Sequence, residues 1–189
     1  MEKVLIISQN DNVTDIISKQ LVSDFNVQQF NGDLNSDADY QAALVDTSVV
    51  ITVLGPLDSD IYFDHLFDAI FDAGIQLNHF VMVTYSGIDD EVIGGREYLG
   101  VSDVKEFIKQ QRYAAKIVDE AEMPYTIIRA GRLVDGSNNE VELYDEGQPM
   151  PNETLSYASL AELIYRTITT HEHINKSIGV VNTKAGGNR

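Results

Sequence analysis

A chain of 189 residues, 43% hydrophobic and 23% charged, fits a single globular domain with a sizeable core. No apolar run approaches the roughly 20 residues that span a bilayer, and the absence of cysteine excludes disulfides, thiolate metal sites and a cysteine nucleophile. The net charge of −17 is unevenly spread, because no lysine or arginine lies between Lys19 and Arg96 while aspartates crowd that stretch; nucleic-acid and membrane partners are not expected, and a cytoplasmic location is.

Lys3 to Ile7 (KVLII) reads as a buried parallel strand, and Asp15 to Val22 as an amphipathic helix with Ile16, Ile17 and Leu21 on one side. The turn between them, Ser8-Gln9-Asn10-Asp11-Asn12-Val13-Thr14, has no glycine. A strand-turn-helix of this kind cradles a dinucleotide pyrophosphate when glycines let backbone N–H groups approach the oxygens. Here side chains stand in the way, and Asp11 puts a carboxylate where phosphate charge would sit.

Further along, Asn26 to Phe30 reads as a strand and Asp37 to Val45 as a short helix. Ser48 to Leu54 (SVVITVL) is an apolar strand ending at the turn Gly55-Pro56, and Asp60 to Ala73 is a helix closed by Gly74. Strand His79 to Thr84 leads into the loop Tyr85 to Gly100, which holds four of the thirteen glycines, and Val104 to Glu122 is the longest helix. Strand Tyr125 to Arg129, helix Ser156 to Thr170 and strand Ser177 to Val181 complete the pattern. Alternation of apolar strands with helices predicts βαβ units: an α/β, Rossmann-like, doubly wound parallel sheet in one domain over residues 1–182, with 183–189 as a flexible tail.

Four segments resemble the atypical short-chain dehydrogenase/reductases of the NAD(P)H-binding type, a group that includes flavin- and biliverdin-reductase-like enzymes and NmrA-like regulators. They are Asn31-Gly32-Asp33-Leu34 with Asp46 to Ile51, His79 to Ile88, Tyr125 to Leu133 (YTIIRAGRL), and Leu155 to Ala161. The resemblance covers nearly the whole chain and implies a nucleotide-binding fold. It also exposes departures. The family's GxxGxxG turn falls on Ser8, Asp11 and Thr14, and only one strand fits where the family has a ribose-reading strand, a helix and a second strand. The tyrosine–lysine pair of the family's chemistry falls near Phe107 and Gln111, neither of which transfers a proton. Tyr113 and Lys116 are three apart rather than four and read as ordinary helix residues.

By position, the resemblance assigns Ser8, Gln9, Asn10, Asp11, Leu54, Gly55 and Arg132 to the cofactor site, and Thr84, Tyr85 and Ser86 to the catalytic strand end. Arg129 reads as a structural residue, in an ion pair or a loop-anchoring hydrogen bond, and the glycine-bearing segment Ile88 to Gly95 as either a lid or a surface loop. Asp60, Asp64, Asp68 and Asp72 form a solvated stripe, and His171 with His173 a surface cluster, so no metal site is expected. Two functions follow. One is a binding protein, a sensor or accessory, that takes a small molecule or protein partner and no cofactor. The other is an NAD(P)H-dependent oxidoreductase acting on a flavin, quinone or similar acceptor.

Overall fold

The computed structural model describes residues 1–137 and 139–183. Its first strand, β1 (Lys3–Ser8), shows how the sheet is built. Val4 and Ile6 pack into one apolar cluster, Leu5 and Ile7 into another, as the two-residue period of a strand requires when both faces are covered. The next parallel strands repeat the division. In β3 (Thr47–Val53), Val49 and Ile51 oppose Val50; in β4 (His79–Tyr85), Val81 and Val83 oppose Phe80 and Met82; in β5 (Tyr125–Ala130), Ile128 opposes Ile127.

Helices α1 (Asp11–Leu21) and α5 (Tyr157–Thr170) cover the first face; α2 (Asp37–Leu44), α3 (Ser59–Asp72) and α4 (Val104–Glu120) cover the second. Four of the five helices start at a side-chain cap. Asn10, Ser36, Asp103 and Ser156 accept from the backbone N–H of Val13, Asp39, Glu106 and Ser159 respectively.

With β2 (Asn26–Gln29), β7 (Val141–Asp145) and β9 (Lys176–Asn182), the strands form a seven-stranded sheet in the order β2-β1-β3-β4-β5-β9-β7. Every pairing is parallel except β7 with β9. The chain leaves β1 toward β2 and returns on the other side to β3, so the topological switch lies between the C-terminal ends of β1 and β3. A separate parallel pair joins β6 (Arg132–Val134) to β8 (Thr154–Ser156). The architecture is thus a single-domain α/β fold of Rossmann type, with β2 as one edge of its sheet.

Two local expectations are corrected. Helix α1 begins at Asp11 rather than Asp15, because Asn10 is an effective cap and Val13 starts the buried stripe Val13, Ile17, Leu21. The stretch between Arg132 and Ser156, unassigned from periodicity, supplies β6, β7 and β8; their three to five residues are too short for a recognisable pattern. At the C-terminus, Thr183 donates to the Glu140 carbonyl from both its N–H and its hydroxyl. The rest of the expected tail, 184–189, lies outside the described residues.

The bend from β5 into β6 depends on a close approach. A Cβ on Gly131 would lie 2.5 Å from the Glu153 carbonyl oxygen and 2.9 Å from Val181 Cγ1. Gly131→Ala is therefore expected to cost about 1–3 kcal/mol of stability, read as a lower urea midpoint with an unchanged m-value.

Candidate functional site

Three amides of the short turn between β1 and α1 donate to protein oxygens. The N–H of Gln9 donates to the Val53 carbonyl (3.1 Å), that of Asn10 to Ser8 Oγ (3.0 Å), and that of Val13 to Asn10 Oδ1 (3.1 Å). The Gln9 side chain then spans the switch point, where its Oε1 accepts from the Gly55 N–H at 2.9 Å. Thr14 lies inside the helix and donates its hydroxyl to the Asn10 carbonyl. The amides of Gln9, Asn10 and Val13 are thus already engaged by protein oxygens.

Over these strand ends lies a cleft of about 320 Å³. Gln9, Asn10, Leu54, Gly55, Thr84, Tyr85 and Arg132 line it, so residues from four separate loops meet there. Ser8, Asp11 and Ser86 are not among its lining residues. The sequence reading missed Arg96, Glu97, Tyr98 and Leu99, which close the cleft from the loop after β4. Consequently its charged groups are Arg96, Glu97 and Arg132 rather than Asp11 and Arg132.

The three hydroxyls at the end of β4 and beyond it have different fates. Thr84 is buried and donates to Gln111 Oε1 at 2.8 Å, while Gln111 Nε2 donates to Ser59 Oγ at 3.0 Å. Gln111 is therefore a neutral amide tied to neutral oxygens. Ser86 is buried and its hydroxyl accepts from Arg96 Nη1 at 2.6 Å. Tyr85 faces the cleft, its ring edge-on to Phe107 (5.1 Å between centroids) and Tyr98 (6.1 Å). Burial holds its phenol above the usual pKa against the opposing pull of Arg96, so at neutral pH it is a hydrogen-bond donor. Gly55 has φ +122°, and a Cβ there would meet Gln111 Nε2 at 2.9 Å and Tyr85 Oη at 3.2 Å. Glycine at this turn thus leaves room for both side chains.

The loop after β4 is held from three sides. Arg129, in the middle of the sheet, donates from Nη1 to Glu91 Oε1 at 2.7 Å and from Nε to Ser177 Oγ at 3.0 Å. Arg112 donates to the Ile88 carbonyl and, at 2.9 Å, to Asp90. Val92 forms a parallel bridge with Met150, whose N–H donates to the Glu91 carbonyl. Of the segment read as lid or loop, Ile88, Glu91 and Val92 are buried, and the exposed part shrinks to Asp89, Asp90 and Ile93 to Gly95.

Other candidates lie elsewhere. Tyr113 is exposed on α4 and donates to Asp64 of the aspartate stripe at 3.1 Å, and Lys116 pairs with Glu120. His171 and His173 sit after α5, near the start of β5. Among the described residues no cluster of three or more histidines or carboxylates suits a metal ion, and no helix is long and apolar enough to cross a membrane.

A wide sheet with its cleft at the parallel strand ends defines a Rossmann-type nucleotide-binding class. The NAD(P)H-binding family model matches residues 6–171, and the chain belongs to that family. No curated protein matches it. Among solved structures, it is similar to a Rossmann-fold NAD(P)-binding family protein from Shigella flexneri (22% identity, TM-score 0.77, covering 100% of this chain and 98% of that one). It is also similar to a short-chain dehydrogenase/reductase from Veillonella parvula in complex with NADP (15%, 0.79, 98% and 95%). A third is an anaerobillin reductase from Escherichia coli (17%, 0.68, 98% and 86%). At these identities the structural likenesses establish the fold.

Proposed function

We propose that this protein is a binding member of the family: it holds a small molecule in the cleft over β1, β3, β4 and β5, and does not hold a dinucleotide by its pyrophosphate. The observation that carries this reading is the β1–α1 turn, where the amides of Gln9, Asn10 and Val13 donate to Val53, Ser8 and Asn10 while Gln9 bridges to Gly55. Displacing those bonds would leave buried or half-buried groups unpaired, a cost that a phosphate contact must first offset. The Gln111 amide at the lysine position and the single edge strand β2 support the same conclusion. A cleft of about 320 Å³ is at the small end of the roughly 300–1,000 Å³ usual for ligand pockets. A sensor or accessory role, in the cytoplasm and without nucleic-acid or membrane partners, fits the acidic surface; a protein partner would be recruited by the loaded state.

The second reading is an NAD(P)H-dependent oxidoreductase acting on a flavin, quinone or similar acceptor. Family membership and the NADP complex of the Veillonella relative favour it. Calorimetric titration with NADH and NADPH separates the two. We expect no detectable heat of binding from either; a micromolar dissociation constant for one of them would overturn the first reading in favour of the second.

A further inference from the structure

Arg96 is placed by its loop with unusual care. Gly94 and Gly95 both have positive φ (79° and 77°) and turn the chain back over the strand ends, and Asn152 holds the Gly95 carbonyl at 3.1 Å. The guanidinium then lies over the rings of Tyr98 (5.1 Å to the centroid) and Tyr85 (5.8 Å). Its Nη1 donates to Ser86 Oγ at 2.6 Å and to the Ala130 carbonyl at 2.9 Å. Aromatic faces and neutral oxygens fix its orientation without cancelling its charge. Among the described residues, its Nε is buried with no hydrogen-bond partner.

Arg132, exposed at the start of β6, reaches the same place. Both arginines line the 320 Å³ cleft and also a second, more open cleft of about 600 Å³, so they stand at the junction of the two. Burial lowers the pKa of Arg96, and the charge of Arg132 lowers it further, while Tyr98, Tyr85 and Glu91 oppose the shift. In a chain with 13 basic and 30 acidic residues, two guanidinium groups line a single cleft mouth, with Glu97 lining both clefts and Glu153 the second. An oxyanion between them would relieve their mutual repulsion and accept their remaining N–H groups. Inward from this point the first cleft is walled by Val53, Leu54, Val83, Tyr85 and Leu133.

We propose that Arg96 and Arg132 form an oxyanion subsite, and that the ligand of this cleft is a small organic acid, a carboxylate or phosphate ester, whose apolar body lies against Leu54 and Tyr85. The proposal rests on the small-molecule reading above, and its test is chosen to fail separately. Benzoate, phenyl phosphate, inorganic phosphate and benzyl alcohol are titrated against the full-length protein at low salt and followed by amide chemical-shift changes. At least one aromatic anion is expected to bind more tightly than both inorganic phosphate and benzyl alcohol, and to weaken as salt is raised. The tighter of the two identifies the anionic group. Arg132→Gln, on an exposed side chain, should weaken that binding about tenfold or more without altering the melting temperature by more than a few degrees. Arg96→Gln should do the same if it remains folded.

Equal affinity in wild type and Arg132→Gln, or no shift from either aromatic anion at millimolar concentration, overturns the subsite whatever the dinucleotide titration shows. Should NADPH bind and lose its affinity in Arg132→Gln, the subsite stands as a phosphate site and the small-molecule reading falls.

Discussion

Replacing Arg129 by methionine is expected to destabilise the protein by about 3–5 kcal/mol. The Arg129 side chain is 0% exposed in the middle of the sheet, and the Glu91 side chain it pairs with is 2% exposed. Removing the guanidinium leaves a buried carboxylate held by backbone N–H groups, those of Gly87 and Asp89 at 3.0 Å among them. Burial alone would raise the Glu91 pKa, yet backbone donors at Gly87 and Glu91 together with Arg129 hold it below the ordinary value. The folded form therefore favours ionised Glu91, and this contribution is present above the unfolded pKa and lost as pH falls through the folded one. Replacing both partners with apolar residues should recover part of the loss, since the pair's main cost is leaving one charge alone. Urea unfolding of the two single variants and the double variant measures this. A loss below about 1 kcal/mol in Arg129→Met would show that the ion pair contributes no more than an exposed one.

His79 should make the stability of the fold depend on mild acid. It is 1% exposed at the start of β4, and its Nε2 lies 2.9 Å from Thr126 Oγ1. The Thr126 hydroxyl donates to the His173 carbonyl, so it accepts from His79 and assigns the Nε2–H tautomer. Among the described residues Nδ1 is then a buried lone pair with no hydrogen-bond partner, so protonation places a charge in a buried, unpaired position. Burial, reinforced by the charge of His171, lowers the His79 pKa from 6.5 to about 4. The unfolded chain thus binds a proton below pH 6.5 that the folded protein refuses until about pH 4, and stability falls as pH drops through that window. The full effect is roughly 3 kcal/mol, of which about 2 kcal/mol is lost between about pH 7 and 5. His79→Gln, which keeps a donor for Thr126, should flatten this slope. Wild type and variant with parallel stability–pH curves over that range would refute the assignment.

The candidate site was legible only in part, and the division has a physical basis. Gln9, Leu54, Gly55, Thr84 and Arg132 all lie at or just beyond the C-terminal end of a strand, so their common position was readable once the strands were recognised as parallel. Asp11, which alignment with the family's glycine turn puts against the phosphates, is the first residue of α1 and falls outside the cleft lining. The closing bond from Gln9 to Gly55 joins residues 46 apart and carries no local signature. Arg96 was equally hidden. It lies in a glycine-bearing loop with no periodicity, and it reaches the cleft because Asn152, Met150 and Arg129 tie that loop from other parts of the chain.

What the sequence determined by itself was the order of the helices and of the parallel strands of the main sheet, the burial of those strands and the absence of glycine from the first turn. These are local properties: a strand's two-residue period sorts Val4 from Leu5 and Val81 from Phe80 wherever the strand is placed. The tertiary structure alone decided that Arg129 would be neutralised by Glu91, that the antiparallel β7 would close one edge of the sheet, and that Arg96 and Arg132 would share a cleft. Such meetings depend on the path of loops whose own residues show no repeating pattern. The free energy that selects them comes from contacts between segments tens of residues apart, which no window along the chain contains.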